Sequence, residues 1–259
     1  MEIWAHRGRT SSKQFGNSHL NFLNASRLEI TGFEADICLT RDQKIIIYHP
    51  GSTRPDLSQM QSQDMVNSIF GMGVMDLDFF LNFLKTSGMY CCLDIKQYSP
   101  KLVREAVKGI TEHGLEDKIY LTAFQKQMNY TPFNIESDGR LLLMAKKMNP
   151  YIKTHVISIW PFNLLNIADK YRPDAISFGW LNEPPIMSLA SRAIFKTLSS
   201  TVNLSRQIEA VKFKGIKVWA GIFNHPKEML YFIQLGVDGI MTDEPKILLD
   251  LIKDQKIPT

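Results

Sequence analysis

The run Gly32-Phe33-Glu34-Ala35-Asp36-Ile37 decides how this chain is read. On a β-strand successive side chains point to opposite faces, so Glu34 and Asp36 share one face while Phe33, Ala35 and Ile37 share the other. The apolar face suits packing against helices. The acidic face then has to hold two negative charges close together. Burying like charges without a partner is costly, and a divalent cation with oxygen ligands is the natural partner. Upstream lies His6-Arg7-Gly8, and downstream Tyr48-His49. A metal ion flanked by two histidines has the equipment of phosphodiester cleavage.

Working outward, short apolar runs read as strands at residues 3–7, 33–39, 45–49, 90–96, 118–123, 141–145, 175–179, 217–223 and 237–242. Amphipathic stretches between most of them read as helices, at residues 17–30, 77–86, 100–113, 204–214, 226–234 and 245–253. Pro100 opens one helix and Gly114 follows it, and Gly88, Gly215 and Gly236 follow others, the usual asymmetry of starts and stops. Residues 40–44 read as a hairpin turn. No linker, low-complexity stretch or short repeat divides the sequence. Strand–helix alternation over this length predicts a (β/α)8 TIM barrel, with residues 1–259 forming a single domain. No Gly-rich loop of the dinucleotide or P-loop kind follows the first strand.

In such a barrel the chemistry sits at the C-terminal ends of the strands. His6 and Arg7 end the first strand, Glu34 and Asp36 lie on the second, and His49 ends the third apolar run. Asp94 and Lys96 end the run Tyr90-Cys91-Cys92-Leu93-Asp94-Ile95-Lys96, on one face by period two. Each piece alone has an ordinary structural reading, as a solvated strand face or a simple Asp94–Lys96 ion pair. Four strand ends carrying such groups together point to a site. The residues suit one hard cation on Glu34, Asp36 and Asp94, His6 and His49 as the acid–base pair, and Arg7 with Lys96 on a phosphate. His19, His113, His155 and His225 fall on helices or loops in this reading. Trp219 is turned into the barrel by Val218 and Ala220, and is expected to wall the substrate pocket. Trp4, Trp160 and Trp180 read as core.

The composition of the 259 residues is that of an ordinary globular protein, 44% hydrophobic with a formal net charge of +4. No basic block argues for nucleic-acid binding. Three cysteines, Cys38, Cys91 and Cys92, make neither a disulfide framework nor a metal-ligand spacing. No signal peptide and no apolar run of membrane-spanning length is visible, so a cytoplasmic protein is expected. Oligomeric state leaves no mark on the sequence.

These residues resemble the glycerophosphodiester phosphodiesterase family. The resemblance rests on His6-Arg7-Gly8, on Glu34-Ala35-Asp36-Ile37-Cys38-Leu39-Thr40-Arg41-Asp42 with His49, on Val218-Trp219-Ala220, and on Gly236-Val237-Asp238-Gly239-Ile240-Met241-Thr242-Asp243-Glu244-Pro245. It implies a (β/α)8 barrel that cleaves phosphodiesters with one divalent cation, Mg²⁺ or Ca²⁺. The substrate it implies is a glycerophosphodiester, split to sn-glycerol 3-phosphate and an alcohol. Several positions depart from the family pattern. Its Glu-Asn-Thr element reads Gly16-Asn17-Ser18, its usual third ligand Glu reads Asp94, and His49 is followed by Pro50. Asp94-Ile95-Lys96 is similar to the spider-venom phospholipase D branch. That similarity, with a short segment at residues 50–76, leaves room for a lysophospholipid-type substrate. The competing readings are a catalytically inactive barrel that binds phosphodiesters or a protein partner, and a metal-independent histidine-pair lyase. Three converging carboxylates fit the last poorly.

Overall fold

A computed structural model describes residues 1–49, 74–130, 133–158, 163–180 and 185–254. The strands are β1 (Glu2–Ala5), β2 (Gly32–Leu39), β3 (Ile45–Ile47), β4 (Tyr90–Ile95), β5 (Ile119–Phe124), β6 (Met128–Tyr130), β7 (Phe133–Ile135), β8 (Lys153–Ile157), β9 (Ala175–Phe178), β10 (Lys217–Gly221) and β11 (Gly239–Thr242). The helices are α1 (His19–Ala25), α2 (Leu77–Ser87), α3 (Pro100–His113), α4 (Arg140–Met148), α5 (Leu164–Tyr171), α6 (Pro185–Thr201), α7 (Leu204–Phe213), α8 (Pro226–Gln234) and α9 (Pro245–Asp254). β1, β11, β10, β9, β8, β5, β4 and β2 run parallel in that order, and β1 pairs with β2 to close the ring. This is the expected (β/α)8 barrel. β3 pairs antiparallel with β2, and β6 and β7 form a separate hairpin after β5.

Local chemistry sets the element ends. Ser99 accepts a hydrogen bond from the Leu102 N–H at the start of α3, Pro100 occupies its first turn, and Gly114 ends it in the left-handed region (φ 65°). Asp76 accepts the Phe79 N–H to start α2, and Gly88 ends it (φ 69°). Two sequence expectations are corrected. Residues 141–145 are not a strand but part of α4, in which Leu141, Leu142 and Ala145 are the buried positions. A short apolar run reads alike as a buried helix or a strand, and only the spacing of buried residues separates them. The strand lies instead at β8, where His155 is on the strand and fully buried, not in a loop. Its Thr and Lys residues masked it. Trp160, and residues 50–73 of the segment expected to be short, lie outside the described residues. Among the described residues no helix is long and apolar enough to cross a membrane. Cys38, Cys91 and Cys92 are buried and form no disulfide.

The helix-facing side of the barrel is the main core, with Phe33, Ala35, Ile37, Leu93, Val218 and Ala220 fully buried. Inside the barrel, Trp4, Cys92, Tyr120, Ala175, Trp219 and Met241 form a second cluster. The Trp219 ring packs at tilted or edge-on angles 4.7 Å from Trp4, 4.9 Å from His155 and 5.1 Å from Tyr120, ring centre to centre. Its Nε1–H donates to Glu2 Oε2 at 2.8 Å. Glu2 opens β1, so this layer is the floor of the barrel, on the N-terminal side. Trp219 has no exposed surface. The expectation that it walls the substrate pocket is therefore corrected: it points inward, as its neighbours require, but toward the wrong end of the strand.

His155 adds a pH prediction. Burial pulls its pKa down to about 3. The unfolded chain takes up its proton near pH 6.5, whereas the folded chain refuses it until far lower pH. Stability that is present above pH 6.5 is thus lost as pH falls toward 3, at up to about 1.4 kcal/mol per pH unit from this residue. Urea melts at several pH values should show a shallower acid-side slope for His155→Leu than for the wild type. Parallel slopes would remove His155 from the acid response.

Candidate active site

The site forms where β1, β2, β3, β4 and β11 end. β1 stops at Ala5, and His6-Arg7-Gly8 makes a tight turn with Arg7 in the left-handed region (φ 55°, ψ 28°). That conformation is uncommon for a bulky residue and marks a constrained position. It directs the Arg7 N–H onto Glu34 Oε2 at 3.0 Å. The Arg7 side chain runs the other way and places Nε 3.1 Å from Asp36 Oδ2. A β-carbon at Gly16 would overlap Arg7 Cβ, Cγ and Cδ. The space beside Gly16 is therefore filled by the arginine stem.

Glu34, Asp36 and Asp94 are buried and offer ligand oxygens all within 4.8 Å of one another. Asp36 and Asp94 are direct neighbours in the β2–β4 register. Lys96 Nζ lies 2.7 Å from Asp36 Oδ1 and also donates to Asp94 Oδ2. Asp94 Oδ1 is shut off from solvent and accepts no hydrogen bond among the described residues. Three hard oxygen donors, with Asp94 Oδ1 buried and without a hydrogen bond and Asp36 Oδ1 held only by the Lys96 ion pair among the described residues, fit a divalent cation of the Mg²⁺ or Ca²⁺ kind. The charges are strongly coupled. Burial and then the charge of Asp36 push Glu34 well above the usual carboxylate range. Burial would raise Asp36 too, but Lys96 and Arg7 outweigh it and hold its carboxyl well below that range. Asp94, raised chiefly by burial and further by Asp36 against the pull of Lys96, sits at about 6. Burial works against the Lys96 ammonium, yet Asp36 and Asp94 raise it above its ordinary value. Such mutual perturbation is typical of functional sites.

His6 Nδ1 lies 2.8 Å from Asp243 Oδ1. The Asp243 carboxylate only accepts, so Nδ1 carries the proton and Nε2, 3.9 Å from Glu34 Oε2, keeps its lone pair. Asp243 is held in turn by Arg9 Nη1 at 3.0 Å and by Asn224 Nδ2 at 2.8 Å. Burial, helped by Arg7, lowers His6 to about 4 against the opposing pull of Asp243. Burial alone would raise Asp243, but the hydrogen bond from His6 leads the groups that hold it well below the ordinary range. His49 arrives by the ladder that carries β3, because the Tyr48 N–H donates to Asp36 O at 2.9 Å. It feels the charge of Asp36, and burial takes its pKa to about 3 despite that charge.

The structure thus brings His6, Arg7, Glu34, Asp36, His49, Asp94 and Lys96 together and leaves Trp219 outside. Sequence reading missed four residues of the cluster, Asp243, Arg9, Asn17 and Asn224. Asp243 had a usable signal, since it follows Gly239 and Met241 by period two at the end of a barrel strand. Asn17 and Asn224 are loop residues with no periodicity to flag them.

No family model matches the chain. It is 21% identical to a glycerophosphodiester phosphodiesterase of Caldanaerobacter subterraneus subsp. tengcongensis, over 97% of both chains. The chain resembles the glycerophosphodiester phosphodiesterases. Among solved structures, one of that name from Parabacteroides distasonis superposes with a TM-score of 0.72 at 18% identity, over 98% of each chain. A phosphodiesterase of Oleispira antarctica, solved with its product sn-glycerol-3-phosphate, gives 0.73 at 17% identity, over 98% of this chain and 97% of that one. At these identities the structural matches speak for the shared barrel. The full-length resemblance to glycerophosphodiester phosphodiesterases agrees with the motifs in the sequence.

Proposed function

We propose that this chain is a phosphoric diester hydrolase that splits glycerophosphodiesters into glycerol phosphate and an alcohol, with residues 1–259 acting as one catalytic domain. The observation that carries this reading is the buried Glu34–Asp36–Asp94 triad flanked by a histidine fixed on a carboxylate. Glu34, Asp36 and Asp94 would hold one Mg²⁺ or Ca²⁺ ion, which when bound supplies positive charge for the phosphoryl oxygens. Arg7 and Lys96, already drawn in by the carboxylates, add two further cations beside the phosphate and stabilise the charge that builds in the transition state. His6 is the better base, because Asp243 orients its ring and Nε2 keeps a lone pair at neutral pH. His6 would take its proton from the attacking hydroxyl, and His49, held protonated while the anionic phosphate sits beside it, would give its own proton to the leaving oxygen. A lipid-like alcohol, as in lysophospholipids, is the second substrate class to include.

The test is product analysis by phosphorus NMR with glycerophosphodiesters and lysophospholipids, before and after chelation. Glycerol phosphate should appear, should vanish with EDTA, and should return when Mg²⁺ or Ca²⁺ is added. Full turnover with no metal left by elemental analysis would overturn the metal reading. No turnover of any phosphodiester by the metal-loaded protein would favour the inactive, binding barrel.

A further inference from the structure

The loop between β1 and α1 touches both carboxylates of β2, Glu34 through the Arg7 N–H and Asp36 through Asn17 and the Arg7 guanidinium. Asn17 is buried and adopts the left-handed conformation (φ 63°), which asparagine tolerates better than most residues. Its N–H donates to Arg7 O at 2.8 Å and so closes the loop on itself. Its carboxamide then grips Asp36 twice. Oδ1 accepts the Asp36 N–H at 3.1 Å, and Nδ2 donates to Asp36 Oδ2 at 2.6 Å. Because one end accepts from a backbone N–H, the orientation of the amide is fixed by chemistry.

The consequence falls on the other oxygen of Asp36. Oδ2 is occupied by Asn17 Nδ2 and faced by Arg7 Nε. Oδ1 is left on the side of Lys96 and Asp94. We propose that Asn17 is a positioning residue for the cation site: by clamping the Asp36 backbone and Oδ2 together, it presents Oδ1 as the ligand atom. This rests on the metal reading above. Outer hydrogen bonds of this kind hold ligating carboxylates in place, and losing them commonly weakens metal affinity about 10–100-fold. The next residue, Ser18, caps α1 by accepting the Asn21 N–H, and it has no part in the clamp.

Mn²⁺ titration of the metal-free protein, followed by electron paramagnetic resonance without substrate, tests the proposal. Asn17→Gly keeps the left-handed backbone but removes the carboxamide. It should weaken Mn²⁺ binding about 10–100-fold and change the spectrum of the bound ion, while circular dichroism stays native. If that variant melts below the assay temperature, Asn17→Ser, too short to span both groups of Asp36, should show the same loss. Ser18→Ala loosens the same junction without touching Asp36 and should bind Mn²⁺ like the wild type. Wild-type affinity in a folded Asn17 variant, or an equal loss in Ser18→Ala, overturns the positioning role alone. A wild-type protein that binds no Mn²⁺ overturns the metal reading, and the proposal with it.

Discussion

Replacing His6 by alanine should lower turnover about 10²–10⁴-fold, the scale set by a positioned proton-transfer group, while the melting temperature moves little. The two halves of this expectation have separate origins. The imidazole contributes its Nε2 lone pair at the mouth of the barrel, held in place by the Nδ1 hydrogen bond to Asp243. Its removal opens little core, and Asp243 keeps Arg9 and Asn224 as partners. His49→Ala should behave alike in turnover. A variant of either histidine that retains turnover within a few-fold of the wild type would take that residue out of the mechanism. Asp243→Asn offers an intermediate case. It leaves His6 in place but removes the charge that sets its tautomer, so most of the loss should appear in turnover and not in binding.

Trp219→Ala should be the most destabilising single change in the barrel interior, costing about 3–5 kcal/mol. The ring is wholly enclosed, with Trp4, Tyr120 and His155 against it. Alanine would leave a void in the floor and free Glu2 Oε2 of its indole partner. Assayed well below its melting point, the variant should keep KM close to wild type, because the floor lies beneath the carboxylates. Trp219→Phe keeps the aromatic contact and loses the hydrogen bond, so it should fall between the two. Normal stability combined with a raised KM would restore the tryptophan to the substrate pocket.

The barrel was legible because its signals repeat. Strand-length apolar runs alternate with capped helices such as Pro100–His113, and each run has its own stop. The carboxylates were legible because period two puts Glu34 and Asp36 on one face and Asp94 and Lys96 on another, and the register then brings Asp36 beside Asp94. Two kinds of information were not written locally. Depth along a strand is one: alternation says that Trp219 points inward but not whether it lies at the mouth or the floor, which depends on the stagger of neighbouring strands. Contacts made by loops are the other. Nothing in Gly16-Asn17-Ser18 announces that Asn17 grips a residue on β2, because that grip depends on the left-handed turns at Arg7 and Asn17. The strand at His155 was lost for a third reason, since its polar residues hide a strand that is buried on both faces of the sheet.

All eight residues of β2 are buried, apolar side chains toward the helices and carboxylates toward the axis. Strand geometry makes this a reading frame of two. Deleting one residue before Glu34 would turn Phe33, Ala35 or their neighbours inward and drive two carboxylates into the hydrocarbon layer beneath α1 and α2. No partial outcome exists, because the same shift that empties the reaction centre also ruptures the core. A change of length in β2 is therefore a change of which atoms face the axis, whereas a substitution there leaves the frame intact.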